Sequence, residues 1–424
     1  MHLVRRSCAA FSAVFLTTAL LASAPADATT PAPAAAPAPL LAQGPASAAG
    51  AGRAQVLLNW ERIAFRTVYV DGATPIPVGV PVLGFTSLAM HRAVTKSLAQ
   101  SRASSERAAV VAAAYQVLQH YYPKLRAKLQ ADRAASLDAL APGPAKRYGV
   151  KIGKRAGRGV IDDRRDDGYL DATIHYSKAP GPGVWQPAPP ATDMLAAWLG
   201  SLKPLVTRKT VKVDGPDALT SAAYTSQFEE VKSLGRSNST TRTEAQKQTA
   251  QFFNSNSATM VGDALIRYLE GHPMRLADTA RLFAEVHAAM TDSLIQCWRL
   301  KRDVGFWRPS QAIQGAASDG NAATVPDATW APLVPNPPYS DYVSGHGCLT
   351  GPAVEVIRQT LGEKTPLELI SSNSPTHRTY PKLKGLEKDA FHARIWSGLH
   401  FRTAMVDAYH IGHVTARRVM DQME

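Results

Sequence analysis

The sequence predicts an all-α protein. Apolar residues recur at helical spacing in most segments after Arg53, and no run of alternating β-type segments is found. Proline and glycine cluster between the periodic segments, as is typical of loops. With 424 residues, 45% of them hydrophobic, the chain can bury a large core. We therefore expect a single helical domain, built on a bundle, over residues 53–424.

The first 52 residues are expected to lie outside this domain. Arg5 and Arg6 precede a short apolar stretch, and residues 26–28 (Ala-Asp-Ala) fit a small-residue cleavage site. Residues 1–28 are therefore predicted to be a secretory signal peptide. Residues 29–52 are rich in Pro, Ala and Gly, a composition that predicts a disordered linker. The mature protein is expected to be soluble, secreted or periplasmic, without stable insertion in a membrane.

Helical periodicity appears in eight segments along the chain, and one of them is interrupted by Pro123. These segments are 54–70, 85–100, 104–141, 220–235, 241–255, 274–304, 353–362 and 400–420. Between them, 71–84 is predicted to be a Pro/Gly loop, 142–170 is basic and dotted with glycine, and 179–217 and 315–343 are expected to be irregular. Pro352 is expected to break a helix that begins at Ser344 into a short first turn and a restart.

The formal net charge of +13 favours the attraction of anions. The basic residues are scattered along the sequence, with no known nucleic-acid motif and no run of aromatic residues among them. No nucleic-acid partner is therefore predicted. Two cysteines, Cys297 and Cys348, follow the predicted signal peptide. A disulfide between them and two free buried thiols are both compatible with the sequence.

One short segment, Ser344-Gly345-His346, combines a hydroxyl, an unobstructed backbone N–H and an imidazole just before a helical run. The first turn of a helix offers free N–H groups and a partial positive charge, so such a segment can bind an anion and exchange a proton with it. A Ser/Gly-rich turn with an unrelated histidine is the alternative interpretation.

Two further segments carry cations and a histidine. Lys301 and Arg308 are seven residues apart, close to two helical turns, so a continuous helix would place both on one face. Two such cations can bind one oxyanion, although a solvated basic helix end is an alternative. Arg394 and His400 are six residues apart and meet only if the helix breaks, for which Gly398 is suited. A histidine in the core is the alternative for His400.

In this order, Lys301…Arg308-Pro309, Ser344-Gly345-His346 and Arg394…His400 resemble the signature of the superfamily of type-2 phosphatidic acid phosphatases and vanadium haloperoxidases. The stretches LLNWERIAFRTVYVDGATPIP, YTSQFEEVKSLG and WAPLVPNPPYSDYVSGHGC resemble its soluble, secreted bacterial haloperoxidase-like branch. The resemblance covers most of residues 53–424 and implies the helical bundle of that superfamily.

The resemblance also implies a role for each residue of the three segments. His346 and His400 are the implied catalytic residues, and His400 is also the implied axial ligand if vanadate is bound. The residues implied to bind the oxygens of a tetrahedral oxyanion are Lys301, Arg308, Ser344, Gly345 and Arg394. With vanadate as the cofactor, the implied activity is oxidation of a halide by hydrogen peroxide. Phe306-Trp307, directly before Arg308, favours this activity because it is similar to the haloperoxidase version of the first motif.

Two alternatives stay open because phosphate fits the same set of ligands. One is a soluble acid phosphatase that hydrolyses a small phosphoester through a phosphohistidine at His400. The other is a non-catalytic oxyanion-binding relative.

The sequence departs from the superfamily pattern at three positions. Val343 replaces a frequent proline, Ala393 replaces a frequent serine, and Ala404 stands where a carboxylate commonly follows the last histidine. Either Asp407, one turn further on, or a backbone carbonyl is expected to orient the His400 imidazole instead.

Overall fold

The computed structural model describes residues 48–424, and their side chains from Ala54 onward. The predicted signal peptide, residues 1–28, and most of the predicted linker lie outside the described residues. The first described helix begins at Ala48, inside the stretch predicted to be linker. Ala48, Ala49 and Ala51 accompany Gly50 and Gly52 at the start of this helix, and alanine is the residue that most favours helix.

The predicted all-α class is confirmed. The described helices are α1 (Ala48–Phe65), α2 (Ile76–Leu98), α3 (Glu106–Tyr121), α4 (Arg126–Asp138), α5 (Pro144–Asp163), α6 (Ala222–Gly235), α7 (Glu244–Phe252), α8 (Ser257–Gly271), α9 (Leu276–Asp303), α10 (Pro309–Gln314), α11 (Gly347–Leu361), α12 (Leu383–Trp396) and α13 (Arg402–Met423). Short helical turns cover Arg66–Asp71, Pro123–Leu125, Ala197–Ser201 and Ala316–Ser318. None of the described helices combines the length and the apolarity that a membrane span needs.

One small sheet accompanies the helices and was not predicted. The strands β1 (Leu367–Ile370) and β2 (His377–Tyr380) pair antiparallel, with Leu367 opposite Tyr380. Each strand has only four residues, too few for an alternating pattern to stand out in the sequence.

Helix α9 is the centre of the fold. It has 28 residues, most of them buried, because apolar and small side chains cover nearly its whole circumference. Helices α2, α11 and α13 pack directly against it, and α11 also packs against α13. The last turn of α9 and the segments that precede α11 and α13 meet in one buried place, and this arrangement positions the candidate site described below.

Helices cover part of a predicted loop and a stretch for which no helix was predicted. Helix α2 begins at Ile76, within the predicted loop 71–84, because Pro77 occupies its first turn, where a missing N–H costs little. Helix α5 covers most of the glycine-dotted stretch 142–170. Its glycines form a contact face: a Cβ atom added at Gly153 would lie 2.2 Å from the Ala109 carbonyl oxygen of α3.

The predicted break at Pro352 is wrong. Helix α11 starts at Gly347, three residues later than expected, and runs without interruption to Leu361. Pro352 is buried against α13, where a Cβ atom added at Gly412 would lie 2.5 Å from the proline Cδ. This close packing holds the helix together across one missing hydrogen bond.

Candidate oxyanion site

Two glycines with positive φ let the chain turn towards the site. Helix α9 ends at Asp303, and Gly305, with φ +62°, redirects the chain so that Arg308 comes just before α10. Helix α12 ends at Trp396, and Gly398, with φ +76°, separates Arg394 from His400. Residues other than glycine rarely adopt a positive φ, so both turns depend on glycine.

Lys301 lies in the last turn of α9 and is fully buried. Its Nζ donates to the carbonyl oxygens of Ser340 and Asp341, at 2.7 and 3.0 Å, while Ser340 Oγ donates back to the Lys301 carbonyl at 2.7 Å. Nζ also lies 5.0 Å from the centre of the Tyr339 ring. Burial, together with a smaller effect of the Arg308 charge, lowers the pKa of Lys301 to about 8. The ammonium keeps one of its three N–H bonds for another acceptor.

Arg308 is held from two sides. Its Nε donates to the Tyr339 carbonyl and its Nη1 to the Leu399 carbonyl, both at 2.8 Å. The guanidinium also lies over the Tyr339 ring, 5.0 Å from its centre. The remaining nitrogen, Nη2, is buried and has no partner among the described residues. A buried, charged donor without an acceptor is costly, so this nitrogen indicates a place for an anion.

Arg394, in the last turn of α12, shows the same feature. The side chain is buried, and its Nη1 donates to the Phe253 carbonyl at 3.4 Å. Its Nε is buried without a partner in the described part of the chain. Burial lowers the pKa of Arg394 to about 10, and the nearby charge of Arg308 contributes in the same direction.

The Ser344-Gly345-His346 segment ends where α11 begins. Gly347 N–H donates to Ser344 Oγ at 3.3 Å, which leaves the proton of that hydroxyl for another acceptor. No described residue accepts a hydrogen bond from Gly345 N–H. Gly345 lies flat against Trp298, where an added Cβ atom would be 3.1 Å from the indole ring. Serine and glycine therefore present two neutral donors beside the three cations.

His346 is placed to exchange protons. Its Nε2 lies 3.2 Å from the Ser255 carbonyl oxygen, so Nε2 carries the hydrogen and Nδ1 keeps its lone pair. Burial lowers the pKa of His346 well below its ordinary value, and the charge of Arg394 adds to the effect. The imidazole is consequently neutral at pH 7 and can accept a proton.

His400 forms a buried pair with Asp341. His400 Nδ1 lies 2.6 Å from Asp341 Oδ1, and both side chains are buried. Burial raises the pKa of Asp341 to about 7, against the opposing charges of Arg308 and Lys301. Burial also lowers the pKa of His400 well below its ordinary value, and those two cations lower it further. When Asp341 is ionised, Nδ1 carries the proton and Nε2, 3.5 Å from Arg308 Nη1, presents its lone pair.

Asp341 is the residue that the sequence did not reveal: the partner of His400 Nδ1 is neither Asp407 nor a backbone carbonyl, so both predicted alternatives were wrong. Asp407 Oδ2 instead accepts a hydrogen bond from Tyr342 at 2.5 Å. The Ala404 carbonyl, at the position of the missing carboxylate, accepts from Ser344 N–H at 3.0 Å. The available signal was an aspartate three residues before Ser344, but only the fold brings that carboxylate to His400.

The seven predicted residues thus come together in one buried place. The charges of Lys301, Arg308 and Arg394 all lower the pKa of both His346 and His400. Three buried cations face a single buried carboxylate, which leaves an excess of positive charge. A tetrahedral oxyanion would accept hydrogen bonds from the unpartnered donors and offset that charge. The Nε2 lone pair of His400 would then reach its central atom.

The two cysteines lie next to this site as free, buried thiols. Cys297 Sγ donates to the Val343 carbonyl at 3.4 Å, and Cys348 Sγ lies 3.9 Å from the Ala408 carbonyl. The sequence left open a disulfide between these cysteines or two free thiols, and the structure contains the free thiols. Burial raises the pKa of Cys348 well above its ordinary value, and the neighbouring Cys297 contributes.

Part of the chain also matches a known protein family. Residues 281–424 match the family described as the VCPO second helical-bundle domain. A vanadium chloroperoxidase from Curvularia inaequalis is 36% identical over 93 residues, which are 20% of this chain but only 15% of that protein.

Two solved structures share the fold over most of the chain. A bacterial vanadium-dependent iodoperoxidase has a TM-score of 0.69 at 18% identity, over 87% of this chain and 96% of that one. A holo-type bacterial vanadium-dependent chloroperoxidase has a TM-score of 0.66 at 15% identity, over 82% and 92%. The resemblance noted in the sequence is confirmed, and the chain has the helical-bundle fold of these enzymes.

Proposed function

We propose that this protein, which has the fold of the vanadium haloperoxidases, is a vanadate-dependent haloperoxidase that oxidises a halide with hydrogen peroxide. One observation carries the proposal: buried donors of Arg308 and Arg394 have no partner among the described residues, and they lie beside His400, whose Nε2 has only a long contact of 3.5 Å with Arg308 Nη1. Charged groups of this kind stay buried at low cost only when an anion completes the site.

The donor set fits vanadate, a tetrahedral oxyanion of high negative charge. Lys301, Arg308 and Arg394 would offset its charge, and the Ser344 hydroxyl and Gly345 N–H would donate to its oxygens. His400 Nε2 would hold the vanadium atom, with Asp341 keeping the imidazole in the required tautomer. When bound, vanadate supplies the Lewis acid that activates hydrogen peroxide towards a halide.

His346 would move the protons of the reaction. Its Nδ1 lone pair can take a proton from hydrogen peroxide and return it to a leaving oxygen, while the Ser255 carbonyl holds Nε2. Because it is buried and has cations as neighbours, the imidazole is neutral before the anion arrives. Arrival of the anion would offset those charges and bring the pKa of His346 closer to its ordinary value, which suits a group that both accepts and donates a proton.

An acid phosphatase is the second candidate, because the lone pair of His400 Nε2 also suits attack on phosphorus. In that case phosphate would occupy the same donors, His400 would carry the phosphoryl group, and His346 would protonate the leaving oxygen. A non-catalytic oxyanion-binding protein would use the same cations without turnover. For all three candidates we propose one domain over residues 53–424 that acts outside the cytoplasm, as the predicted signal peptide implies.

The test is peroxide-dependent oxidation of iodide to triiodide and bromination of a dye, each with and without added orthovanadate. We expect turnover only with vanadate, and none from His400→Ala. His413→Ala is the matched control, since His413 lies on α13 and pairs with Glu387 away from the site.

Three other results would each reject the haloperoxidase assignment. Hydrolysis of p-nitrophenyl phosphate without any halide oxidation would favour the phosphatase. Binding of vanadate without either activity would favour the non-catalytic relative. Unchanged turnover in folded His400→Ala would reject the site itself.

A further inference from the structure

Helix α5 carries a line of cations on its outer face. The line consists of Arg147, Lys151, Lys154, Arg155 and Arg158, all of them exposed. Their spacings of four and three residues place them on one side of a helix, along about 17 Å of its axis. In the sequence these residues looked scattered among glycines, and the helix gathers them into one feature, which we call the cationic stripe.

The opposite face of α5 fixes the direction of the stripe. Gly149, Gly153 and Gly157 recur every four residues and lie against α3. A Cβ atom added at Gly149 would be 2.2 Å from the Ser105 carbonyl oxygen, so the two backbones are in direct contact. This contact leaves α5 no room to rotate, and the stripe is therefore presented to solvent as a fixed row.

None of the five cations forms an ion pair with a described carboxylate. The acidic residues that follow the stripe are already engaged: Asp162 pairs with Arg165, and Asp163 pairs with Arg92 on α2. At the other end, Arg102 lies over the Tyr148 ring, 5.2 Å from its centre, and adds a sixth positive charge nearby. Repulsion among unpaired like charges on one helix costs stability, which an anionic partner would offset.

We propose that the cationic stripe is a docking surface for a linear acidic polysaccharide that carries repeated carboxylates. The row is one helix wide and several turns long, a shape that follows a single polymer chain. Lysine and arginine side chains are long and flexible, so they can adjust to the spacing of the carboxylates. This inference is independent of the reaction at the oxyanion site.

Two other anionic partners fit the stripe less well. Binding to a bilayer through an amphipathic helix uses an exposed apolar face, but the small and apolar face of α5 is buried against α3. Single-stranded nucleic acids are bound with aromatic rings that stack on bases, but Tyr148, the one aromatic residue of α5, is already covered by Arg102. The signal peptide predicted for residues 1–28 would also bring the protein to extracellular polymers.

The test is binding of the full-length protein to polygalacturonate, measured by titration calorimetry at several salt concentrations. For a flexible polyanion, five contacts predict a slope of about −3.5 in log K against log salt, which lowers the affinity about 100-fold between 50 and 200 mM salt. Glutamine at all five positions should abolish the binding. The milder pair Lys154→Gln and Arg158→Gln should weaken it about 25-fold at low salt, since each contact is worth about fivefold.

The control removes the same amount of charge elsewhere. Five exposed lysines away from α5 are changed to glutamine: Lys178, Lys209, Lys364, Lys384 and Lys388. The proposal predicts that this variant binds like the wild type. Equal losses in both variants would mean that only the net charge matters, and would overturn the proposal.

The same titration with vesicles containing phosphatidylglycerol, and with single- and double-stranded oligonucleotides, tests the choice of partner. If the protein bound either of them more tightly than polygalacturonate at equal salt, that molecule and not an acidic polysaccharide would be the partner. The absence of polygalacturonate binding by folded wild-type protein at 50 mM salt would also refute the proposal.

Discussion

Replacing Asp341 should damage catalysis more than it damages binding of the oxyanion. The Asp341 carboxylate accepts the hydrogen bond of His400 Nδ1 at 2.6 Å and contacts no oxyanion donor directly. In Asp341→Ala the imidazole loses the partner that sets its tautomer and its orientation. In Asp341→Asn the amide oxygen can still accept from Nδ1, but the negative charge is lost.

The size of the effect follows from burial of the pair. A hydrogen bond to a charged group contributes about 1.5–3 kcal/mol, which corresponds to about 10- to 150-fold in rate. Loss of a partner that supports a metal ligand costs about 10- to 100-fold. We therefore expect kcat of Asp341→Ala to fall about 100-fold and that of Asp341→Asn about tenfold. The affinity for vanadate should change less, because removal of a nearby negative charge increases the attraction for an anion.

The assay follows initial rates of iodide oxidation at saturating vanadate, and the increase in Tm caused by vanadate reports binding separately. Asp407→Asn is the matched control, since Asp407 accepts from Tyr342 and does not touch His400. Its kcat should stay within about threefold of the wild type. Wild-type turnover in Asp341→Ala, or a larger loss in Asp407→Asn than in Asp341→Asn, would refute the reasoning.

Three further predictions follow from buried or strained groups. Lys301→Ala should raise the vanadate concentration needed for half-maximal activity more than it lowers kcat, because it removes one buried cation, and an unchanged requirement would contradict this. Glu61, buried beside Ser87 and His287, has its pKa raised by burial to about 8 in the folded state, so the unfolded chain releases its proton at lower pH. Stability should therefore fall from pH 6.5 to 8, above the range where the lowered pKa of His287 has the opposite effect. In Glu61→Gln, Tm should lose most of the fall between pH 7 and 8, where the raised pKa of Asp341, about 7, contributes little. Gly398→Ala should lower the free energy of unfolding by about 1–3 kcal/mol, because φ is +76° and the new Cβ atom would lie 2.6 Å from the Gly235 carbonyl oxygen. Urea denaturation measures this change, and an unchanged midpoint would refute the prediction.

The sequence predicted those parts of the fold that rest on local pattern. Long segments with apolar residues at helical spacing, such as 274–304, are helices, because a helix with a buried face needs that spacing wherever it packs. The break at Pro123 was predicted for a similar reason, since proline removes a donor in any tertiary context. The order of the three motifs also indicated which residues to examine for an oxyanion site.

Predictions from glycine and proline failed where packing against a distant segment compensates for the effect of these residues on a helix. In α5, three glycines permit contact with α3, and in α11, Pro352 is held by the close approach of Gly412. In isolation such residues predict loops, because the cost of glycine or proline in a helix is local. The compensating packing is provided by a second helix, distant in the chain.

By itself, the sequence determined the helical class, most of the helices and the identities of the cations and histidines that an oxyanion site would use. The tertiary structure alone decided that Asp341 rather than Asp407 contacts His400, that donors of Arg308 and Arg394 are buried without described partners, and that five cations of α5 form one row. The physical reason is that periodicity is a property of neighbouring residues, whereas hydrogen bonding and burial of charge depend on which distant segments meet.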